Sequence, residues 1–481
     1  MYSRLVGSEM CIRDRKMNNR EQWGSRLGFI LAAAGSAVGI GNIWKYPHMA
    51  GSNGGAAFTL VYLLCIFIVG MTIVIAEFAI GRNTQLSPVG AFEKLAPNSN
   101  WKWVGFLGVG SAFVILSFYG VVGGWILKYI FISATGGFDA LNSNPDAAKT
   151  LFVNFTESTW SPIFFQIAFM SMCILVIING VKDGIENWSK IMMPIIVGLL
   201  FVLAIRGLTL PGGNEGLKFL FLPRFEELTA SAIVSALGHA FFTLSLGMGT
   251  MITYGSYLNK KQNLLKSALW VLALDTFIAI LAGIAIFTTV FALGADPAGG
   301  AGLIFFILPS VFPQLAYGSV WGFLFFGLLF MAALTSAISI LEVVTAYFID
   351  QKGWSRKKAT IQFGLVITIV GAFCSLSLGG GINITSALGP GFAEIFGSTF
   401  FDFLDNLSSK YMLPIGGMFT ALFILNKWGV NNFIHEINQK ILSRNKDPII
   451  VKILCAISAL VVLFILVNEF VATLTGKAII G

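Results

Sequence analysis

Two short stretches of small and hydroxyl-bearing residues interrupt apolar runs of the chain. Gly35, Gly39 and Gly41 fall within seven residues, although glycine costs about 1 kcal/mol relative to alanine inside a helix. Residues 241–250 (FFTLSLGMGT) repeat the pattern. At membrane depth, an irregular backbone is viable only where it lines a cavity or is buried in protein. The freed amide and carbonyl groups could therefore bind an ion or a small substrate; close helix packing is the alternative explanation.

The composition indicates an integral membrane protein made of helices. The 481 residues are 56% hydrophobic and 11% charged, with mean hydropathy +0.81, whereas globular domains carry about 25% charged residues. The net charge of +8 lies in short loops between apolar runs, which argues against a nucleic-acid partner. No nucleophile–base or metal-binding constellation indicates an enzyme. The five cysteines are expected to be unpaired.

Eleven apolar runs are long enough to cross a bilayer. They cover residues 26–48, 56–80, 104–132, 161–180, 189–206, 231–254, 267–293, 318–349, 359–378, 399–426 and 449–472. The interrupted runs are the first and the sixth, and an offset of five spans reverses orientation. Paired interruptions at matching positions of two inverted halves point to a transporter site.

The predicted organisation is a tail at 1–17, a five-helix repeat at 18–206, an inverted five-helix repeat at 207–427, and a loop with an eleventh helix at 428–481. The tail is polar, unlike the rest, and Met17 is a plausible start. Basic residues concentrate in alternate loops. The positive-inside rule then predicts a cytoplasmic N-terminus, an outer C-terminus and insertion in the cytoplasmic membrane.

Several motifs resemble the neurotransmitter:sodium symporter family, and the bacterial amino-acid transporters of LeuT type most closely. They are WGSRLGF (23–29), GIGNIWKYP (39–47), NGGAAF (53–58) and EFAIGR (77–82), followed by matches at 241–257, 332–336 and 402–414. The resemblance covers nearly the whole chain from about residue 18. It implies the LeuT fold, an all-α membrane fold of two inverted five-helix repeats plus one C-terminal helix, with spans 1 and 6 unwound.

The resemblance also implies a substrate site between the two unwound segments. The amides of Ile40 and Gly41 and the hydroxyl of Tyr119 are expected to bind a carboxylate, because helix N-termini favour negative charge. The carbonyls of Ala37, Phe242, Thr243 and Ser245 are expected to bind an amino group. The side-chain pocket implied by the family comprises Ile115, Phe242, Ser245, Met248, Ser336 and Ile340. Because this pocket carries no charge, we expect a neutral, hydrophobic amino acid.

Two sodium sites are implied in the same way. The first would use Ala37, Asn42, Thr243 and Asp275, together with the substrate carboxylate. The second would use Gly35, Val38, Ala332, Thr335 and Ser336, although hydroxyls in apolar helices commonly bond to their own turn instead.

Two departures from relatives bear on specificity. Gly39 stands where monoamine-transporting relatives have Asp, which favours a substrate with its own carboxylate. Asp275 stands where animal relatives have Asn and need chloride, and Ala279 stands where LeuT has a compensating Glu. An ionisable residue inside a span is a functional candidate. We therefore expect Asp275 to make transport chloride-independent; a protonated or locally paired aspartate is the alternative.

Gates are expected on both sides of the site. Lys45 and Asp405 match the outer charged pair of the family, although lysine cannot form the bidentate contacts of the usual arginine. Phe242 and Tyr119 would form an aromatic lid below that pair. The inner gate residues implied by the family are Arg20, Trp23, Tyr257 and Asp350.

The sequence therefore predicts sodium-coupled uptake of an amino acid by alternating access. A non-transporting sensor of sodium and amino acid, or a channel on the same fold, are the alternatives. The expected partners are the amino acid, Na⁺ and the lipid bilayer; no sequence feature indicates an oligomeric state.

Overall fold

The computed structural model describes residues 20–141, 144–297, 303–379, 397, 399–437 and 448–475. The predicted tail at 1–17, including Cys11, lies outside these residues. Eighteen helices carry the fold of the described chain: α1 Arg26–Ala37, α2 Gly41–Ser52, α3 Ala56–Thr84, α4 Pro88–Leu95, α5 Lys102–Ala134, α6 Pro145–Glu157, α7 Ser161–Ile178, α8 Val181–Leu208, α9 Gly213–Phe221, α10 Ala230–Thr243, α11 Thr250–Ser256, α12 Leu264–Ala292, α13 Leu303–Gln314, α14 Gly318–Lys352, α15 Arg356–Leu378, α16 Phe400–Trp428, α17 Val430–Ile437 and α18 Pro448–Thr475. Short 3₁₀ turns lie at Asp139–Leu141 and Phe225–Glu227.

The membrane-spanning helices follow the predicted apolar runs. In the described chain, nine helices are long and apolar enough to cross a membrane: α3, α5, α7, α8, α12, α14, α15, α16 and α18. A tenth span is the pair α1 and α2, which is bent by 50° at its break. The shorter helices α10 and α11 occupy the predicted sixth run. Counting that pair as one broken span gives the eleven predicted runs.

The break in span 1 occupies residues 38–40. Val38 ends α1 with an extended backbone (φ −72°, ψ 94°), and its amide still bonds the Ala34 carbonyl at 2.6 Å. The chain resumes at Gly41 in a wide helical turn that continues into α2. Asn42 stabilises the break because its Oδ1 accepts a hydrogen bond from the Gly39 amide at 3.2 Å.

The break in span 6 depends on a left-handed backbone. Ser245, Gly247 and Gly249 have φ values of 52°, 78° and 76°, a region that glycine enters without steric cost. The Gly247 amide donates to Glu77 Oε1 of α3 at 2.8 Å. A side chain at Gly247 would overlap the Leu413 carbonyl of α16. The break is thus fixed by its own glycines and by two neighbouring helices.

Burial distinguishes central spans from peripheral ones. The most apolar window of α14 is 78% buried and that of α5 is 67% buried, against 28% for α18. Large apolar side chains such as Leu175, Phe164 and Leu460 are more than 60% exposed, as expected of surfaces that face lipid. The helices α14 and α5 therefore lie at the centre of the bundle, and α18 lies at its edge.

The unpaired state of the cysteines is confirmed where the structure describes them. Cys65, Cys173, Cys374 and Cys455 are free thiols, and the last three are buried.

Candidate functional site

A cavity lies between the two breaks, and every residue predicted to bind substrate lines it. Its walls come from α1, the first break, the start of α2, α5, the end of α10, the second break and α14: Ser36, Ala37, Gly39, Ile40, Gly41, Ile115, Tyr119, Phe242, Thr243, Ser245, Met248, Ser336 and Ile340. Ser36 and Gly39 were not among the predicted substrate residues. The lining contains no Asp, Glu, Lys or Arg side chain.

One end of the cavity presents hydrogen-bond donors. The Ile40 amide lies 3.5 Å from the Tyr119 hydroxyl, so both groups face the same space at the start of α2. Gly39 is tightly enclosed, because a Cβ at that position would lie 2.5 Å from Ser336 Oγ and 3.1 Å from the Tyr119 hydroxyl. A carboxylate of a substrate could be held here by Tyr119 and by the amides at the helix start.

The first predicted cation site is a cluster of buried oxygen-bearing side chains. Asn42 Nδ2 donates to Asp275 Oδ1 at 2.8 Å, and the Thr243 hydroxyl donates to Asn42 Oδ1 at 3.1 Å and to Asp275 Oδ1 at 3.2 Å. The second carboxylate oxygen of Asp275 is buried and has no hydrogen-bond partner. Carboxylate, amide and hydroxyl oxygens suit a hard cation, and the unpartnered oxygen leaves one ligand atom available.

The second predicted cation site joins α1 to α14. Ser336 Oγ lies 3.4 Å from the Gly35 carbonyl and 3.5 Å from the Val38 carbonyl. The Thr335 hydroxyl instead bonds to its own helix, at 3.0 Å from the Ala332 carbonyl. Three of the five predicted oxygens therefore lie together at the α1–α14 interface. The Thr335 hydroxyl and the Ala332 carbonyl instead make the local bond considered as the alternative.

The outer side of the cavity is covered by an aromatic ring and a cation. Lys45 Nζ lies 4.3 Å from the centre of the Phe242 ring, a distance at which cations are attracted to aromatic faces. Within the described residues, Lys45 and Asp405 form no ion pair. The pairing of these two residues remains a prediction.

The predicted inner gate residues do come together. Arg20 Nη1 lies 2.6 Å from Asp350 Oδ1, and Arg20 Nη2 donates to the Ser256 hydroxyl at 2.6 Å. Burial lowers the pKa of the Arg20 guanidinium, but the charge and hydrogen bond of Asp350, together with Tyr257 and Glu342, more than offset that effect and raise the pKa above its ordinary value. The Arg20 guanidinium therefore stays charged. Trp23 packs against Tyr257 at 6.2 Å, edge to face.

A second ion pair, which the sequence reasoning missed, stands beside this gate. Glu342 of α14 is fully buried and accepts hydrogen bonds from the Tyr257 hydroxyl at 2.6 Å and from Arg356 Nη1 at 2.7 Å. Arg356 also contacts Glu21 Oε1 at 2.9 Å. An acidic residue inside the apolar run 318–349 was the signal that could have identified Glu342.

Glu77 is a further buried acid that the sequence reasoning did not place in the site. Its side chain is fully buried in α3 and accepts the Gly247 amide. Glu77 therefore stabilises the second break through its hydrogen bond with the Gly247 amide, and it does not line the cavity.

Comparisons with known proteins identify the family to which the chain belongs. The model of the sodium:neurotransmitter symporter family matches residues 20–143 and 151–478. An uncharacterised sodium-dependent transporter of Bacillus subtilis, YhdH, is 41% identical over 87% of this chain and 90% of its own length. A similar transporter of Haemophilus influenzae is 35% identical over 84% and 89%, respectively.

A solved structure shows the same fold. The crystal structure of MhsT in complex with L-phenylalanine superimposes with a TM-score of 0.84 and is 46% identical, over 94% of this chain and all of that one. The all-α LeuT fold predicted from the sequence is thereby confirmed. The chain is an integral membrane protein of the sodium:neurotransmitter symporter family, whose members couple transport to sodium.

Proposed function

We propose that this chain is a symporter that moves a neutral, apolar amino acid together with sodium ions. The observation that carries the proposal is the uncharged cavity between two breaks, which adjoins buried oxygen clusters on either side. Amides and the Tyr119 hydroxyl at one end suit a carboxylate. Carbonyls released at the breaks suit an ammonium group.

The apolar part of the cavity favours an uncharged side chain. Ile115, Met248 and Ile340 are almost fully buried, and a charged substrate side chain among them would be desolvated without a partner. MhsT, which is 46% identical, holds L-phenylalanine in its crystal structure. This supports an amino acid with an apolar side chain as the substrate here.

Two sodium ions are proposed as co-substrates, one for each oxygen cluster. The first would bind among Asn42, Thr243 and Asp275, where an unpartnered carboxylate oxygen is available. The second would bind between the Gly35 and Val38 carbonyls and Ser336. Because Asp275 already brings a negative charge to the first ion, we propose that transport needs no chloride.

Alternating access would use the two gates. The inner pair, Arg20 and Asp350, is closed in this structure, whereas Lys45 and Asp405 are not joined. Opening the inner pair would release substrate and ions. With the basic loops in the cytoplasm, we propose that this release is inward and that the chain lies in the cytoplasmic membrane with its N-terminus inside.

The test is uptake into proteoliposomes with sodium or choline outside, using radiolabelled phenylalanine, leucine, alanine, glutamate and lysine. We expect saturable uptake of the apolar amino acids in sodium alone. Glutamate as the best substrate, or equal uptake in choline, would contradict the proposal. Binding without flux would indicate a sensor, and flux that does not saturate would indicate a channel.

A further inference from the structure

Four buried serine side chains connect the first break, the second break and α14. They are Ser36 at the end of α1, Ser245 in the second break, and Ser336 and Ser339, which lie one turn apart on α14. Ser339 is fully buried and does not line the cavity. Hydroxyls in apolar helices commonly bond to their own turn, so hydroxyl bonds that join separate elements indicate an arrangement that no single helix requires.

The Ser36 side chain is held by α14 although it belongs to α1. Its hydroxyl donates to Ser339 Oγ at 2.7 Å, and the Ser339 hydroxyl in turn donates to the Ser336 carbonyl at 2.7 Å. Each hydroxyl carries a single proton, so both protons are used in this chain of bonds. Ser339 therefore fixes the last turn of α1, directly before the first break.

The main-chain carbonyl of Ser36 accepts two further hydroxyl groups. Ser245 Oγ lies at 3.0 Å and Ser336 Oγ at 3.2 Å from this oxygen. A carbonyl oxygen has two lone pairs, so these two donors saturate it. One peptide group of α1 thus joins the second break to the serine proposed as a ligand of the second sodium ion.

The direction of the Ser336 proton matters for a cation at that position. Three carbonyls lie within reach of Ser336 Oγ: Ser36 at 3.2 Å, Gly35 at 3.4 Å and Val38 at 3.5 Å. A proton directed at Gly35 or Val38 would occupy an oxygen that the cation needs. Donation to Ser36, the nearest of the three, leaves the other two carbonyls and the lone pairs of Ser336 Oγ for the ion.

We infer that Ser339 is a positioning residue for the second sodium ion, because it holds Ser36 where the Ser36 carbonyl accepts the Ser336 proton. The inference rests on the proposed sodium-coupled function. Without the Ser339 hydroxyl, the Ser36 side chain would turn back to its own helix, and its carbonyl would lose a fixed position. Since the same carbonyl also holds Ser245, Ser339 connects the second ion to the second break.

The experiment is a sodium titration of the binding of radiolabelled phenylalanine and leucine to the purified full chain, with choline keeping the ionic strength constant. Ser339→Ala should raise the sodium concentration for half-maximal binding about tenfold, since one hydrogen bond between helices is lost. At saturating sodium the amino-acid Kd should stay within about twofold of the parent, because excess cation refills the site. A loss of stability alone would not separate these two quantities.

Two more variants identify the bond responsible. Ser36→Ala removes the same bond from α1 and should raise the sodium requirement similarly, which keeps the test valid if Ser339→Ala does not fold. The double variant should be no worse than Ser36→Ala alone. Ser133→Ala is the matched control, because the buried Ser133 hydroxyl of α5 donates to the Ser319 carbonyl of α14 at 2.8 Å, away from both breaks. It should leave the sodium requirement unchanged.

The possible failures are distinguishable. A parent that binds both amino acids equally in sodium and choline would overturn the proposed function, and this inference with it. A sodium-dependent parent whose sodium requirement is unaltered by Ser339→Ala and Ser36→Ala would overturn the inference alone. An equal rise in Ser133→Ala, or effects of Ser36→Ala and Ser339→Ala that multiply in the double variant, would also overturn it.

Discussion

Asp275 places a carboxyl group in the interior of α12 without a basic partner. Its side chain is fully buried, and its hydrogen-bond partners among the described residues are the neutral side chains of Asn42 and Thr243. A buried carboxylate is costly unless a positive charge compensates it. The sodium ion proposed for this cluster would supply that charge.

Replacing Asp275 by Asn should make the protein dependent on chloride. Loss of one partner from a buried charge pair costs about 3–5 kcal/mol, so substrate binding in chloride-free sodium should weaken by about two to three and a half orders of magnitude. Added chloride should restore most of it. The measurement is sodium-dependent amino-acid binding in chloride and in gluconate.

Asp146→Asn is the control for this variant, because Asp146 is an exposed aspartate outside the site. It should bind substrate equally in both salts. Unchanged binding by Asp275→Asn in gluconate would show that another group compensates the ion.

The pocket residues were predictable because they belong to continuous motifs. The lining residues at or beside the breaks are Ile40, Gly41, Phe242, Thr243, Ser245 and Met248. Glu342 and Arg356 were not predicted. Their role depends on a pairing between α14 and α15 at 2.7 Å, and a single apolar run gives no information about such a partner.

Among the elements, the broken helix of span 6 depends on local backbone geometry. Gly247 has a positive φ, and a Cβ at this position would overlap backbone atoms of α16. Backbone atoms cannot move aside as the end of a flexible side chain can. Gly238 lies four residues before Phe242 in α10, and a Cβ there would meet nothing within 4 Å. A side chain should therefore be tolerated at Gly238 but not at Gly247.

Gly247→Ala should abolish sodium-dependent substrate binding and lower the melting temperature, since alanine is strained at positive φ and overlaps the Leu413 carbonyl. Gly238→Ala should leave both properties within error of the parent. Both variants are compared with the parent by thermal unfolding in detergent and by sodium-dependent substrate binding. Equal behaviour of the two variants would mean that the break tolerates a side chain.

The pairing of Glu342 with Arg356 can be measured as a coupling between α14 and α15. Glu342→Gln should destabilise the protein by about 3–5 kcal/mol, because it leaves a nearly buried arginine poorly compensated. The double variant Glu342→Gln with Arg356→Gln should be more stable than either single variant. Melting temperatures of the three variants provide the test.

The control here is Glu215→Gln, which breaks an exposed pair whose side chains are 59% and 60% exposed. Such pairs contribute about 0–1 kcal/mol, so this variant should melt close to the parent. A double variant less stable than both singles would indicate that the two residues act independently.

At the scale of the whole molecule, the inner side is closed by several contacts between distant parts of the chain. Arg20 reaches Asp350, and the Gly24 amide and Ser25 hydroxyl bond Glu186 at 2.6 and 2.8 Å. These contacts explain why α8 begins at Val181, earlier than the predicted 189. The polar residues 182–186 are typical of a loop when the sequence is considered alone. In the structure, the Glu186 carboxylate instead accepts hydrogen bonds from Gly24 and Ser25, which precede α1.

Asp350→Ala should shift the protein toward states open on the inner side. Residues 20–25 should exchange amide hydrogens faster, and the apparent substrate affinity should fall in proportion to the remaining fraction of closed molecules. Hydrogen exchange with mass spectrometry measures the first effect and equilibrium binding the second. Asp183→Ala, an exposed aspartate of α8, should change neither. Unaltered exchange in Asp350→Ala would show that Arg20 does not close the gate.

The overall architecture could be predicted from the sequence because an apolar run of this length crosses a bilayer as an α-helix. The short α13 was not predicted, since Leu303–Gln314 is too short to span and lies in the connection between α12 and α14. Its position follows from packing, such as the contact between Phe312 and Phe325 at 6.1 Å.

The enclosure of Gly39 has a consequence for redesigning selectivity. An aspartate placed there to recognise an amine would have to displace the Ser336 hydroxyl, 2.5 Å from where its Cβ would stand. That same hydroxyl is proposed to hold the second cation. A change of cargo at this position would therefore alter the driving ion as well, and the two properties would have to be re-engineered together.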